Sequence, residues 1–158
     1  MRWFILAATV PLLAMNGGVA ASEIKPVHSE KCLDVPNDSA APDIQIIQFT
    51  CHSGPNQQWS VQTAGDTSTI VAHNGMCLDV RGGSTGDIVP IIQFPCSGGF
   101  NQKFRVINVP GVAPGDSRVQ IKTFADKCLD IDSGSLFDTA GVIQFTCTGR
   151  PNQIFHIQ

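Results

Sequence analysis

Three blocks of this 158-residue chain carry the same residues in the same order. The first runs Cys32-Leu33-Asp34-Val35, then Ile46-Ile47-Gln48-Phe49-Thr50-Cys51, then Asn56-Gln57-Gln58-Trp59. The second runs Cys77-Leu78-Asp79-Val80, Ile91-Ile92-Gln93-Phe94-Pro95-Cys96 and Asn101-Gln102-Lys103-Phe104. The third runs Cys128-Leu129-Asp130-Ile131, Val142-Ile143-Gln144-Phe145-Thr146-Cys147 and Asn152-Gln153-Ile154-Phe155. The two cysteines of each block stand 19 positions apart, and first cysteines recur after 45 and then 51 residues. A repeat of this length is one supersecondary unit that cannot bury its apolar face alone. A threefold fold is therefore expected, with function in what is repeated.

The chain ahead of the repeats has a different character. Arg2 precedes an apolar run from Trp3 to Leu13, and Gly17 to Ser22 offers small residues for cleavage after Ala20 or Ala21. This is the pattern of a secretory signal peptide over residues 1–21. The run falls short of the roughly 20 residues of a spanning helix. The expectation is an exported, soluble protein with no membrane insertion, its single domain at 22–158 and its repeats at about 24–65, 66–113 and 114–158.

Without Arg2 the chain has nine Lys and Arg against thirteen Asp and Glu. That mild acidity argues against nucleic acid, which calls for a basic patch. All six cysteines fall in the repeats, and an even count in an exported chain reads as disulfides. The repeat selects Cys32–Cys51, Cys77–Cys96 and Cys128–Cys147. No Cys-x-x-Cys or His-x-x-x-His supports a metal, and no cofactor motif is present.

Short runs of Val, Ile, Phe and Thr bounded by Gly, Pro, Asn, Asp and Ser predict strands throughout. Each repeat has room for about four, giving an all-β, pseudo-threefold barrel of about twelve. Ser39–Asp43, Gly82–Asp87 and Ser133–Ala140 are corresponding loops, and Asn108–Asp116 accounts for the longer second spacing. Alternation along a strand puts Asp34 on the face of Cys32, with Ile47 and Phe49 on that of Cys51, and turns Leu33 and Val35 inward. Each repeat thus gathers a carboxylate, an aromatic plane and an Asn-Gln pair. A sugar suits that group: its hydroxyls meet the carboxylate and amide while its C–H face lies on the ring.

The three copies of Cys-Leu-Asp-Val/Ile, Cys and Asn-Gln-x-Trp/Phe resemble the ricin-type β-trefoil lectins, known for a triple Gln-x-Trp motif. Here that motif reads Gln57-Gln58-Trp59, Gln102-Lys103-Phe104 and Gln153-Ile154-Phe155. The resemblance covers essentially the whole chain after residue 21. It implies three carbohydrate sites: Asp34, Ile47, Phe49, Asn56 and Gln57; Asp79, Ile92, Phe94, Asn101 and Gln102; Asp130, Ile143, Phe145, Asn152 and Gln153. The stacking position is Phe in all three repeats, where the family often has Trp or Tyr. Ile47, Ile92 and Ile143 stand where Gln is frequent. The motif aromatics are expected in the core, and the motif glutamines serve either the sugar or the local backbone. Gln48, Gln93 and Gln144 fall on the inward face, which calls for a bulge or a polar ring near the axis.

Galactose, GalNAc and xylan-type glycans are the partners this resemblance implies. The alternative is a protein-binding trefoil: a protease inhibitor, or a non-catalytic adaptor for a secreted toxin or hydrolase. Catalysis is not expected. The only glutamates, Glu23 and Glu30, precede the first repeated motif at Cys32, and the aspartates are spread by the repeat rather than paired in a cleft. Gly82-Gly83-Ser84-Thr85-Gly86 matches a nucleophile-elbow pattern in a loop that lacks its strand-turn-helix setting. Among the histidines, His52 follows Cys51 and edges the first site.

Overall fold

The computed structural model describes residues 20–111 and 113–158. The segment read as a signal peptide therefore lies outside the described residues apart from its last two positions. Thirteen strands follow in order: β1 (Ile24–Pro26), β2 (Cys32–Asp34), β3 (Ile44–Gln45), β4 (Ile47–Phe49), β5 (Trp59–Ala64), β6 (Thr67–Ala72), β7 (Cys77–Val80), β8 (Val89–Phe94), β9 (Arg105–Asn108), β10 (Arg118–Lys122), β11 (Cys128–Ile131), β12 (Val142–Phe145) and β13 (Phe155–Ile157). They sort as four per repeat, with the third strand of the first repeat split into β3 and β4 around Ile46. The split gives thirteen among the described residues where about twelve were expected. Ile46 faces two neighbours there, its N–H donating to Ile91 O and its carbonyl accepting from Val142 N.

The second and third strands of each repeat pair in one register. Cys32, Leu33 and Asp34 lie opposite Phe49, Gln48 and Ile47. Cys77, Leu78 and Asp79 lie opposite Phe94, Gln93 and Ile92, and Cys128, Leu129 and Asp130 opposite Phe145, Gln144 and Ile143. Side chains opposite one another share a face. One face of each pair therefore carries cysteine, aspartate, isoleucine and phenylalanine, and the other is turned inward. Leu33, Val35, Leu78, Val80, Leu129 and Ile131 are fully buried there with Trp59, Phe104 and Phe155. Trp59 Nε1 donates to Leu33 O at 3.1 Å, so the largest core side chain leaves no unpaired donor. The three disulfides, one in each repeat, join Cys32–Cys51, Cys77–Cys96 and Cys128–Cys147.

The third strands meet one another around the pseudo-threefold axis. Gln45 is opposite Ile92, Pro90 opposite Ile143, and Gly141 opposite Ile47. The inward glutamines sit beside this junction and form neither a bulge nor a ring. Each reaches into the loop of another repeat. Gln48 Nε2 donates to Ser135 O and Phe137 O, both at 2.8 Å. Gln93 Nε2 donates to Ser39 O and Ala41 O, and Gln144 Nε2 to Ser84 O and Gly86 O. A buried amide is costly unless its groups are paired. Here it satisfies loop carbonyls that sequence-local partners do not reach, and it ties the repeats into a ring.

Candidate carbohydrate-binding sites

Each candidate site is built around the aspartate two residues after the first cysteine. Its carboxylate is almost wholly buried and held by two amides. Asn56 Nδ2 donates to Asp34 Oδ1 at 3.0 Å and Gln57 Nε2 to Asp34 Oδ2 at 2.8 Å. Asn101 and Gln102 hold Asp79 at 2.9 and 2.8 Å, and Asn152 and Gln153 hold Asp130 at 3.0 and 2.7 Å. Burial pushes all three carboxyls above the ordinary aspartate value, and the Gln and Asn amides only partly offset it. In the second and third repeats each oxygen keeps a lone pair that can accept from a hydroxyl, and in the first Asp34 Oδ1 does.

The motif glutamines stand behind this carboxylate. Gln57 is fully buried. Its Nε2 also donates to Thr50 O, and its Oε1 accepts from His52 N at 2.9 Å. Gln102 and Gln153 repeat those bonds with Pro95 and Ser97, and with Thr146 and Thr148. The asparagines are nearer the surface. Their Nδ2 groups also donate to Val35 O, Val80 O and Ile131 O. Both sets of amides sit on short 3-10 turns, Pro55–Gln57, Phe100–Gln102 and Pro151–Gln153. The turns bend the chain back over the carboxylate. Phe49 and Phe145 are part-exposed and Phe94 is 42% exposed, so each ring offers a free surface.

Two of these arrangements open into clefts. The first, of about 360 Å³, is lined by Asp34, Ile47, Phe49, His52 and Asn56 together with Pro36, Asn37, Asp38 and Thr139. In the third repeat, a cleft of about 330 Å³ is lined by Asp130, Ile143, Phe145 and Asn152 with Ile88, Asp132, Ser133, Gly134, Thr148 and Arg150.

The sequence marks the corresponding loops, but not which site each one serves. Thr139, from the third repeat, lines the first cleft, and Ile88, from the second repeat, lines the third. Both residues have left-handed backbone, as does their counterpart Asp43. Thr139 N donates to Gln48 O, Ile88 N to Gln144 O and Asp43 N to Gln93 O. In the second site Asp43 takes an ion pair from Arg81 Nε at 2.8 Å and raises the Asp79 carboxyl. Thus the first and third clefts each take a wall residue from another repeat, a threonine and an isoleucine, and at the second site the corresponding residue is Asp43, paired with Arg81.

His52 marks the first site. Gly54 N donates to its Nδ1 at 3.1 Å, so the proton sits on Nε2, which lies 3.4 Å from Asp34 Oδ2. The ring also meets Phe49 edge-on at 6.2 Å.

The model of the ricin-type beta-trefoil lectin domain matches residues 67–158, and that of the ricin-type beta-trefoil lectin domain-like family matches residues 3–94. This chain belongs to the ricin-type β-trefoil lectin family. The lectin domain is a non-catalytic carbohydrate-binding fold, though it also occurs attached to enzymes.

Among solved structures, a designed threefold-symmetric protein, ThreeFoil, superposes with a TM-score of 0.80 at 34% identity, over 87% of this chain and 96% of that one. An exo-beta-1,3-galactanase from Clostridium thermocellum superposes at 0.82 with 27% identity, over 89% of this chain but only 30% of the enzyme. The Macrolepiota procera ricin B-like lectin, solved in complex with lactose, gives 0.75 at 18% identity, over 92% of this chain and 99% of that one. At that identity the likeness concerns the fold alone.

Proposed function

We propose that this lectin domain acts as a secreted glycan-binding protein, recognising galactose-type or related sugars through up to three shallow sites. The observation that carries the reading is the threefold recurrence of one arrangement. In each repeat a buried carboxylate, oriented by Asn and Gln amides, sits beside a part-exposed or exposed phenylalanine. A hydroxyl pair on the sugar would meet the aspartate and the asparagine oxygen while the apolar sugar face lay on Phe49, Phe94 or Phe145. Placing the domain outside the cell rests on three disulfides and the leader-like first 21 residues. Three sites on one chain would raise avidity on a clustered surface without any new contact.

A galactoside preference draws support from the galactanase likeness at 27% identity. The same comparison favours a second reading. The chain spans 30% of that enzyme and 17% of a mosquitocidal holotoxin, so the domain could serve as the targeting part of a larger assembly. A glycan array carrying galactosides, GalNAc and xylo-oligosaccharides tests the first reading. Binding displaced by lactose supports the first reading. A blank array from oxidised, folded protein overturns it and turns the search to a protein partner.

A further inference from the structure

The third site differs from the other two by one cation. Arg150 stands where the first and second repeats have Gly54 and Gly99, immediately before the 3-10 turn that carries Asn152. Its side chain is exposed and lines the cleft of Asp130, Phe145 and Asn152. Among the described residues, the other arginines are committed to carboxylates: Arg81 to Asp43, Arg105 to Asp126 and Arg118 to Asp116. Arg150 has no such partner among them, and no side-chain hydrogen bond is formed by its guanidinium there. A planar guanidinium at the mouth of a polar cleft matches a carboxylate or sulfate with two parallel donors.

The second site supplies the contrast. It also has an arginine at its edge, yet Arg81 donates to Asp43 Oδ1 through Nε and to Asp43 O through Nη2. That guanidinium is already occupied by the loop of the first repeat. The third site receives Ile88 from its neighbour instead of an aspartate, and an isoleucine cannot neutralise Arg150. Asp132 also lines the third cleft and, after burial, helps to raise the Asp130 carboxyl, and Ser133 Oγ donates to Asp132 Oδ1 at 3.0 Å. The cleft is therefore polarised, acidic over the 3-10 turn Asp132–Gly134 and basic at Arg150.

We propose that the third site selects acidic glycans, with Arg150 receiving a carboxylate or sulfate on the sugar residue next to the one stacked on Phe145. The inference rests on the sugar-binding reading above and names the ligand class of one of its sites.

The test compares matched neutral and acidic probes on a variant in which Phe49→Ala and Phe94→Ala silence the other two sites. One set is lactose against 3′-sulfolactose and sialyllactose. A second is xylotriose against its glucuronic-acid-substituted form. Titration calorimetry at low and high salt reads the ratio of affinities, and the sulfated and carboxylated arms separate the two anions. In whichever set the neutral sugar binds, the acidic partner is expected to bind about three- to tenfold tighter at low salt, with the gain shrinking as salt rises. Arg150→Gly, which copies the other repeats, should bring that ratio to about one, and Asp132→Asn should raise it. A ratio of one or less in the intact third site, or a preference that survives Arg150→Gly, overturns the proposal. If neither member of any set binds even with all three phenylalanines present, the sugar-binding reading itself fails and takes this one with it.

Discussion

Gln57 Nε2 lies 2.8 Å from Asp34 Oδ2, and through this bond a fully buried amide fixes a carboxylate at the floor of a surface cleft. The same glutamine accepts the N–H of His52 and donates to Thr50 O. One side chain therefore closes the turn after the disulfide and aims the aspartate. The motif residue stabilises the site from within, whereas Phe49 meets solvent.

Truncating either should weaken binding, but only one should weaken the fold. Gln57→Ala strands a buried carboxylate oxygen and a backbone N–H, and should lower unfolding free energy by about 1–3 kcal/mol while weakening sugar binding at the first site. Phe49→Ala should weaken binding while shifting the denaturation midpoint far less. Paired urea melts and hapten titrations separate the two. Equal losses of stability would contradict the division of labour.

The aspartates call for a gentler substitution than alanine. Asp34→Ala removes one acceptor from each of Gln57 Nε2 and Asn56 Nδ2, leaving them only Thr50 O and Val35 O, and should cost about 1–3 kcal/mol, so lost binding would mix with lost fold. Asp34→Asn keeps the shape and one of the two acceptors, gives up the bond to the other amide donor, and removes the charge that receives hydroxyls. In the triple variant with Asp79→Asn and Asp130→Asn, binding should fall steeply with near-ultraviolet circular dichroism preserved. Undiminished binding in that variant would rule out the aspartates as sugar ligands.

Acid should remove binding before it removes the fold. Asp34, Asp79 and Asp130 are raised by burial, so in the folded chain they protonate at a pH above the ordinary aspartate value. A group raised in this way contributes stability below its unfolded value and loses it as pH rises through its folded one, so protonating these three does not weaken the fold. Asp87 and Asp138 are held low by Lys127 and Lys31. Their contribution is present above the ordinary value and is lost only as pH falls through the lowered one. Hapten binding followed beside circular dichroism from pH 7 to 2 should show two separated transitions, binding first.

The three inward glutamines are not equally satisfied, and the difference can be repaired. Gln48 Oε1 accepts from Ser29 Oγ at 2.8 Å, and Gln93 Oε1 from Asn74 Nδ2 at 2.9 Å. The corresponding residue of the third repeat is Ala125, and Gln144 Oε1 is buried with no partner among the described residues. Ala125→Ser should supply the missing donor and raise unfolding free energy by about 0.5–1.5 kcal/mol. No gain in chemical denaturation would mean that the oxygen is satisfied in another way.

Much of the fold is legible in the residues alone. The spacing of Cys32 and Cys51, repeated twice, is enough to select the disulfides. Period-two alternation then puts Leu33 and Val35 inside and Asp34 beside the disulfide, because the pleat leaves no other arrangement. The walls of the sites are not legible in this way. Thr139 and Ile88 reach another repeat's cleft, and Asp43 another repeat's Arg81, because Gln48, Gln144 and Gln93 draw their loops across the junction, and no local pattern encodes a contact about 50 or more residues away. The tie between Gln57 and Asp34 likewise depends on the 3-10 turn at Pro55, which folds the amide under the carboxylate rather than toward solvent.

The most direct test is a sugar titration of the oxidised, isotope-labelled chain followed by the side-chain amide signals of Asn56, Asn101 and Asn152 in NMR spectra. Saturable shifts on those signals, together with His52 and Thr148 at the cleft rims, are the expected result with a galactoside or a related glycan. Shifts confined to other surfaces, or none with any sugar of the array, would contradict the assignment of these three clusters as the binding sites.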